Sequence, residues 1–285
     1  MLRLPPEISF AIINGLDVTQ PNDRKTLHSL LFVSKQVNVF ALRTIYQDIS
    51  FLNRSAYDQF FRQLCLFSCD IESNPGLRFT TVFSCRLALR NRDGEAMIRS
   101  KEVNRTLESI IPFLINVRRM SISVDDGFAY PHALRSLPPS APLTHLKIGK
   151  CGMCSEDFQQ FLASRPTLEW LSIYSSRPGS ARAVERNHLT IDALPRLLSL
   201  SIDAEDTVFF ENPLTSLVNL ACNVRYISQM DSASIVCRMA PFASVTACHL
   251  RGAYYMDISP ILTSLPHLEY LWVGKTELIV RTVPS

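Results

Sequence analysis

The sequence predicts an α/β protein in which a small N-terminal three-helix unit precedes an α/β solenoid built from short strands and returning segments. Three observations carry this prediction. The first fifty residues hold three short apolar stripes at helical spacing, separated by polar or capping residues. From about residue 107 a Leu-x-x-Leu-x-Ile unit recurs along the chain. Hydrophobic residues make up 47% of the 285 positions and charged residues 19%, enough apolar material for a large core and too much for a disordered chain.

Pro5 and Pro6 preset the backbone for a helix start, and Glu7 in the first turn complements the helix dipole. Ile8, Ile12 and Leu16 fall at i, i+4 and i+8, which predicts a helix to about Leu16 with one buried stripe. Asp17 to Arg24, with Pro21, Asn22 and Asp23, reads as a polar breaker. Leu27, Leu30 and Leu31 form a second stripe. In Val33-Ser34-Lys35, Ser34 is placed to cap a third helix that presents Val37, Phe40, Ala41 and Ile45. Three helices this short bury little surface by themselves, so the unit is expected to lean on the rest of the chain or on a partner.

Residues 51–110 read as a connecting helix and the irregular first part of the solenoid. Ser55-Ala56-Tyr57-Asp58 resembles a capping box, and Tyr57, Phe60, Phe61 and Leu64 follow at helical spacing. After the Asn74-Pro75-Gly76 turn, Phe79, Thr81, Phe83, Cys85, Leu87 and Leu89 alternate at period two, which predicts extended chain.

Residues 111–285 carry the repeat. It reads Val117-x-x-Met120-x-Ile122, Leu143-x-x-Leu146-x-Ile148, Leu168-x-x-Leu171-x-Ile173 and Leu197-x-x-Leu200-x-Ile202. Leu217-x-x-Leu220-x-Cys222 and Val245-x-x-Cys248-x-Leu250 are weaker copies, and Leu268-x-x-Leu271-x-Val273 is a clean last one. The central residues recur within the roughly 20–29-residue window of leucine-rich repeats, which this region resembles. Pro166, Pro195 and Pro266 are expected to end the helix that precedes each strand. Cys151, three residues after Ile148, followed by Phe158, Phe161 and Leu162, resembles the cysteine-containing repeats often joined to an F-box. Other units have neither Asn nor Cys at that place, so the solenoid is degenerate. A generic α/β domain of similar periodicity is the alternative.

The N-terminal string Leu4-Pro5-Pro6-Glu7-Ile8, then Ile12, Leu16, Leu27 and Leu31, then Val33-Ser34-Lys35, Ala41, Ile45-Tyr46 and Ile49, resembles an F-box of the form common in fungal proteins. It covers about residues 1–50. Val37 stands where many F-boxes have Trp, and the Asp17–Arg24 turn is long and polar. The resemblance implies a helical module whose apolar face docks on the Skp-type adaptor of a cullin ubiquitin ligase core, with Leu4, Pro5, Ile8, Ile12, Leu16, Leu31 and Val33 as its face. It implies a substrate receptor with no catalytic residues of its own. The alternative is that residues 1–50 only seal the end of an interaction scaffold with no ligase role.

In a Leu-x-x-Leu-x-Ile strand the leucines point into the core, so the residues flanking the central Leu, and the one after Ile, face outward on a concave sheet. This predicts a target-binding face of Arg119, His145, Lys147, Trp170, Tyr174, His249, Arg251, Tyr270 and Trp272, with Ser172 and Ser201 among them. Both tryptophans of the chain fall on it, and Trp, Tyr and Arg are the side chains that most often dominate protein interfaces.

Other functions find little support. A formal net charge of +3, from 29 Lys+Arg against 26 Asp+Glu without like-charge runs, gives no footprint for nucleic acid. No apolar stretch approaches the roughly 18 residues of a membrane span, and the N-terminal segment does not read as a signal peptide, so a cytoplasmic or nuclear address is expected. The eight cysteines sit among apolar residues and read as reduced core thiols, Cys65 and Cys69 included. Cys151-Gly152-Met153-Cys154 lacks a second Cys-x-x-Cys or Cys/His pair to complete a metal site. The six histidines form no metal-binding helix pair, and neither a phosphate loop nor a Gly-x-Ser-x-Gly elbow occurs. No cofactor and no metal are expected.

Overall fold

The computed structural model describes residues 5–17, 20–51, 75–87, 100–124, 130–149, 156–174, 194–203, 213–223, 232–251, 257–274 and 276–279. The helix expected after Ser55, Leu89, and the Cys-x-x-Cys at 151–154 lie outside these residues.

Three helices open the chain: α1 (Pro6–Asn14), α2 (Pro21–Leu30) and α3 (Lys35–Tyr46). Ser34 caps α3, its hydroxyl accepting from the Val37 N–H at 3.2 Å. The three helices close on a small core of their own. Ile13, Leu27 and Ala41 are buried there, with Leu16, Leu30, Leu31, Val37, Phe40 and Ile45 packed around them. Two expectations are corrected. The polar stretch from Asp17 ends at Pro21, not Arg24, because Pro21 takes the first helical position of α2 and Asp23 lies in its first turn, where Oδ2 accepts from the Asp17 N–H at 2.9 Å. The Ile8/Ile12 stripe of α1 is not buried. Ile8 is 48% and Ile12 55% exposed, while the neighbouring Ile13 turns into the core, because a helix this short needs only one side chain to reach Leu27 and Ala41.

The rest is a solenoid. Its strands are β1 (Asp48–Phe51), β2 (Val82–Leu87), β3 (Arg119–Val124), β4 (His145–Gly149), β5 (Trp170–Tyr174), β6 (Ser199–Asp203), β7 (Asn219–Asn223), β8 (Ala247–Arg251), β9 (Tyr270–Val273) and β10 (Thr276–Ile279). Among the described residues they form one sheet in sequential order, β1 to β9 parallel and β10 turning back antiparallel. Sequential order without a reversal is the topology of stacked repeats, each touching only its neighbours.

The register aligns the repeat residue by residue. Met120, Leu146, Leu171, Leu200, Leu220, Cys248 and Leu271 are successive partners across the sheet, and Phe83 and Ile49 extend the same row to β2 and β1. The next inward row runs through Ile122, Ile148 and Ile173 and through Ile202, Cys222, Leu250 and Val273. A backbone motif recurs with them. The carbonyls of Gln47, Thr81, Arg118, Thr144, Glu169, Leu198, Val218 and Thr246 each accept from two consecutive N–H groups at the start of the next strand, at 2.8 to 3.1 Å. The chain is therefore a leucine-rich-repeat-like α/β solenoid that begins at Asp48, inside the segment assigned to the helical module. The two earliest turns escape the sequence pattern because Tyr46 and Thr80 hold the place of the leading Leu.

The returning segments include α4 (Ser100–Ile110), α5 (Tyr130–Arg135), α6 (Glu156–Ala163), α7 (Ser232–Met239) and α8 (Ser259–Ser264). They pack on the inward rows, and Leu107, Ile110, Leu134, Phe158, Phe161, Leu162, Ile235, Met239 and Ile261 join the strand leucines in one continuous core. Pro166 and Pro266 do not end these helices, and the segment that Pro195 was expected to end lies outside the described residues; all three prolines are turn residues. They sit inside the tight turns Arg165–Leu168, Leu194–Leu197 and Leu265–Leu268, where the fixed φ of proline suits the second turn position; α6 and α8 have already stopped at Ala163 and Ser264. Phe79 likewise belongs to the 3-10 turn Pro75–Phe79, because the strand starts only where Val82 meets the Gln47 carbonyl.

Candidate functional site

Two surfaces emerge, one on the helical module and one on the outward face of the sheet.

On the module, Leu4 lies outside the described residues and Pro5 is exposed at the start of α1. Ile8, Ile12 and Val33 are exposed, Val33 at 65%. Leu16 and Leu31 are half-buried against the small core, so they serve the internal packing first. The structure adds two residues that sequence reasoning missed, Phe32 at 81% and Val39 at 47% exposure. Phe32 stands in the turn between α2 and α3, which Asn38 holds by donating from Nδ2 to the Leu31 carbonyl at 2.7 Å. Its place directly before the Val-Ser-Lys junction was the available signal. Among the described residues, five of the ten large exposed apolar side chains, Ile8, Ile12, Phe32, Val33 and Val39, thus fall on a module with few residues to spare from its own core.

On the sheet, Arg119, Lys147 and Arg251 are exposed and His145, Trp170, His249 and Trp272 are half-buried, all on outward positions; Tyr270 is 42% exposed. Tyr174 ends β5, and its side chain lies outside the described residues. The strands bring these residues together as two groups. His145 stacks on Trp170 with ring centroids 6.1 Å apart, and Arg119 is the register partner of His145 on the next strand. The Thr144 hydroxyl lies 2.9 Å from His145 Nδ1. Burial first, and then the neighbouring Arg119 charge, lower the His145 pKa, with Glu169 opposing, so the ring is held in its neutral form near neutral pH. In the second group Tyr270 and Trp272 stack at 6.1 Å, Trp272 is the register partner of His249, and His249 Nε2 lies 3.1 Å from the Gly274 carbonyl. Gly274, at φ 64°, makes the turn into β10.

The two groups do not meet. Between them Ser172 and Ser201, expected on an open face, are 0% and 6% exposed. A hydroxymethyl group is too short to rise to the level of the side chains around it. The Ser172 hydroxyl is buried with no hydrogen-bond partner among the described residues.

Among the described residues no group of three or more His, Cys, Asp or Glu is placed to hold a metal ion, and no helix is long and apolar enough to cross a membrane. Cys85, Cys222 and Cys248 are buried and Cys237 is exposed, each outside any disulfide.

No family model matches the sequence, and no curated protein does. Among solved structures the chain is similar to the leucine-rich repeat-containing protein LegL7 of Legionella pneumophila. The two share 16% identity at a TM-score of 0.41, over 70% of this chain and 68% of that one.

Proposed function

We propose that this protein is the substrate-receptor subunit of a Skp-cullin-F-box ubiquitin ligase, with α1 to α3 docking on a Skp-type adaptor and the outward sheet face holding a protein target. The observation that carries the reading is the division of labour in the module. Ile13, Leu27 and Ala41 make its core, and Ile8, Ile12, Phe32, Val33 and Val39 are left in water, the residues a partner helix would cover. The protein contributes no chemistry of its own. It raises the effective concentration of a target beside the ubiquitin-loaded enzyme, in the cytoplasm or nucleus.

The test is co-expression with a Skp-type adaptor and size-exclusion chromatography, comparing wild type with Ile8→Asp/Ile12→Asp. Both positions are half in water, so the variant folds, yet two carboxylates pressed into an apolar interface cost about 3 kcal/mol or more, roughly a hundredfold in affinity. Co-elution of wild type and its loss in the variant support the reading. A folded wild type that elutes alone overturns it.

A second reading, a leucine-rich scaffold with no ligase role, is favoured by one feature. Helix α3 runs almost directly into β1, and Tyr46 at its end packs on the main core, which suits a simple end cap.

A further inference from the structure

The outward face is a trough. His145 and Trp170 rise on one side of it, on β4 and β5, and His249, Tyr270 and Trp272 on the other, on β8 and β9. On β6 and β7 between them the outward positions nearest the walls are Ser199, Ser201, Asn219 and Ala221, so the floor is small and polar. From β5 to β8 is three strand spacings, about 14 Å, which admits one polypeptide segment of helical or extended form and little else. Cations stand in and beside the walls. Arg119, Lys147 and Arg251 hold outward positions of β3, β4 and β8; Asp203 shares their rows, Glu277 is the register partner of Trp272 on β10, and the Glu169 charge acts on His145. The chain as a whole has nearly balanced charge, so this concentration is local. At the foot of the Trp170 wall the buried Ser172 hydroxyl has no hydrogen-bond partner among the described residues, and neither has Asn223 Oδ1 at the end of β7.

We propose that this trough takes a single acidic segment of a partner protein, its apolar side chains lying against the Trp170 and Trp272 rings and its carboxylates facing Arg119, Lys147 and Arg251. The inference deepens the receptor reading by naming the chemistry of the target. Its failure is distinguishable from failure of that reading, because the adaptor experiment reports only on α1 to α3.

The experiment is selection of random peptides of about 16 residues, long enough as a helix to cross the sheet, by display on the full-length chain. Enriched peptides are then synthesised and titrated by fluorescence anisotropy against wild type, Lys147→Glu, Arg119→Glu and Trp170→Leu. The expected result is acidic peptides with at least one large apolar residue, weakened about tenfold by each charge reversal and by Trp170→Leu, and weakened again by added salt. Arg119 and Lys147 are exposed, so their variants keep the fold even where Trp170→Leu does not. Enrichment of neutral or basic peptides overturns the proposal, as does acidic binding indifferent to both charge reversals, or no enrichment from the folded chain.

Discussion

Arg165 reaches back one turn of the solenoid to the Leu137 carbonyl from a turn position that holds Leu114, Leu194, Leu214 and Leu265 in other repeats. It is 2% exposed, its second terminal nitrogen donates to the Pro138 carbonyl at 2.7 Å, and its guanidinium lies 5.1 Å from the Phe161 ring centre. One side chain thus fills a leucine site and satisfies two carbonyls where the preceding chain turns toward β4.

Arg165→Ala is expected to lower stability by about 3 kcal/mol, since it leaves a cavity and two buried acceptors unpaired. Arg165→Leu restores the volume but not the hydrogen bonds and should cost about half as much. Urea denaturation of the two variants checks the order. Equal midpoints for Arg165→Leu and wild type would show that the carbonyls find water instead.

Gly76 marks the second tight point. A Cβ placed there would stand 2.5 Å from the Tyr46 ring, so Gly76→Ala should push α3 away from the sheet and cost about 1–3 kcal/mol. Amide hydrogen exchange is the sensitive readout, with protection expected to fall in α3 and β1 and to hold in β5 to β9.

The buried thiols predict a reactivity pattern. Burial pushes the Cys85 and Cys248 pKa from 9.0 up to about 12, whereas Cys237 is exposed. At pH 8 iodoacetamide should modify Cys237 in the native protein and reach Cys85 and Cys248 only after unfolding, as read by peptide mass spectrometry. The same shift sets a pH dependence. Between about 9 and 12 the folded chain keeps these protons and the unfolded chain releases them, so this contribution to stability is present below pH 9 and is lost as the pH rises through that window.

Phe32, the most exposed large apolar residue described, should drive self-association of the isolated chain. Phe32→Ser is expected to raise the concentration at which light scattering begins, with a change in stability within about 0.5 kcal/mol. Unchanged scattering would place the sticky surface elsewhere.

The solenoid was legible because its signal is redundant. The seven central residues from Met120 to Leu271, read from spacing alone, fall on one row of the sheet, since a repeat that slipped would turn its leucines to solvent. The first two turns were not legible as repeats, although the alternation through Phe83, Cys85 and Leu87 gave β2 as extended chain. Ile49 follows α3 with no turn signal, and buried Thr80 occupies a leucine place with its hydroxyl unpartnered. Nothing in the sequence marks Arg165 as buried, and only the fold shows it inside. The exposed pair Ile8 and Ile12 failed for the opposite reason: apolar residues at i and i+4 describe a docking face as well as a buried one, and sequence spacing does not tell them apart. The outward sheet positions were legible in their members but not in their two-walled shape, which depends on Ser172 and Ser201 sinking below their neighbours.

The passage from helix to sheet has a mechanical meaning. The Gln47 carbonyl, one residue past α3, already accepts the first rungs of the ladder from Thr81 and Val82, and Tyr46 is clamped against Gly76. No hinge separates the two surfaces along this path. The outward sheet face therefore stands at a set offset and bearing from α1 to α3, and the fold spaces its two surfaces as a ruler does, not as a tether.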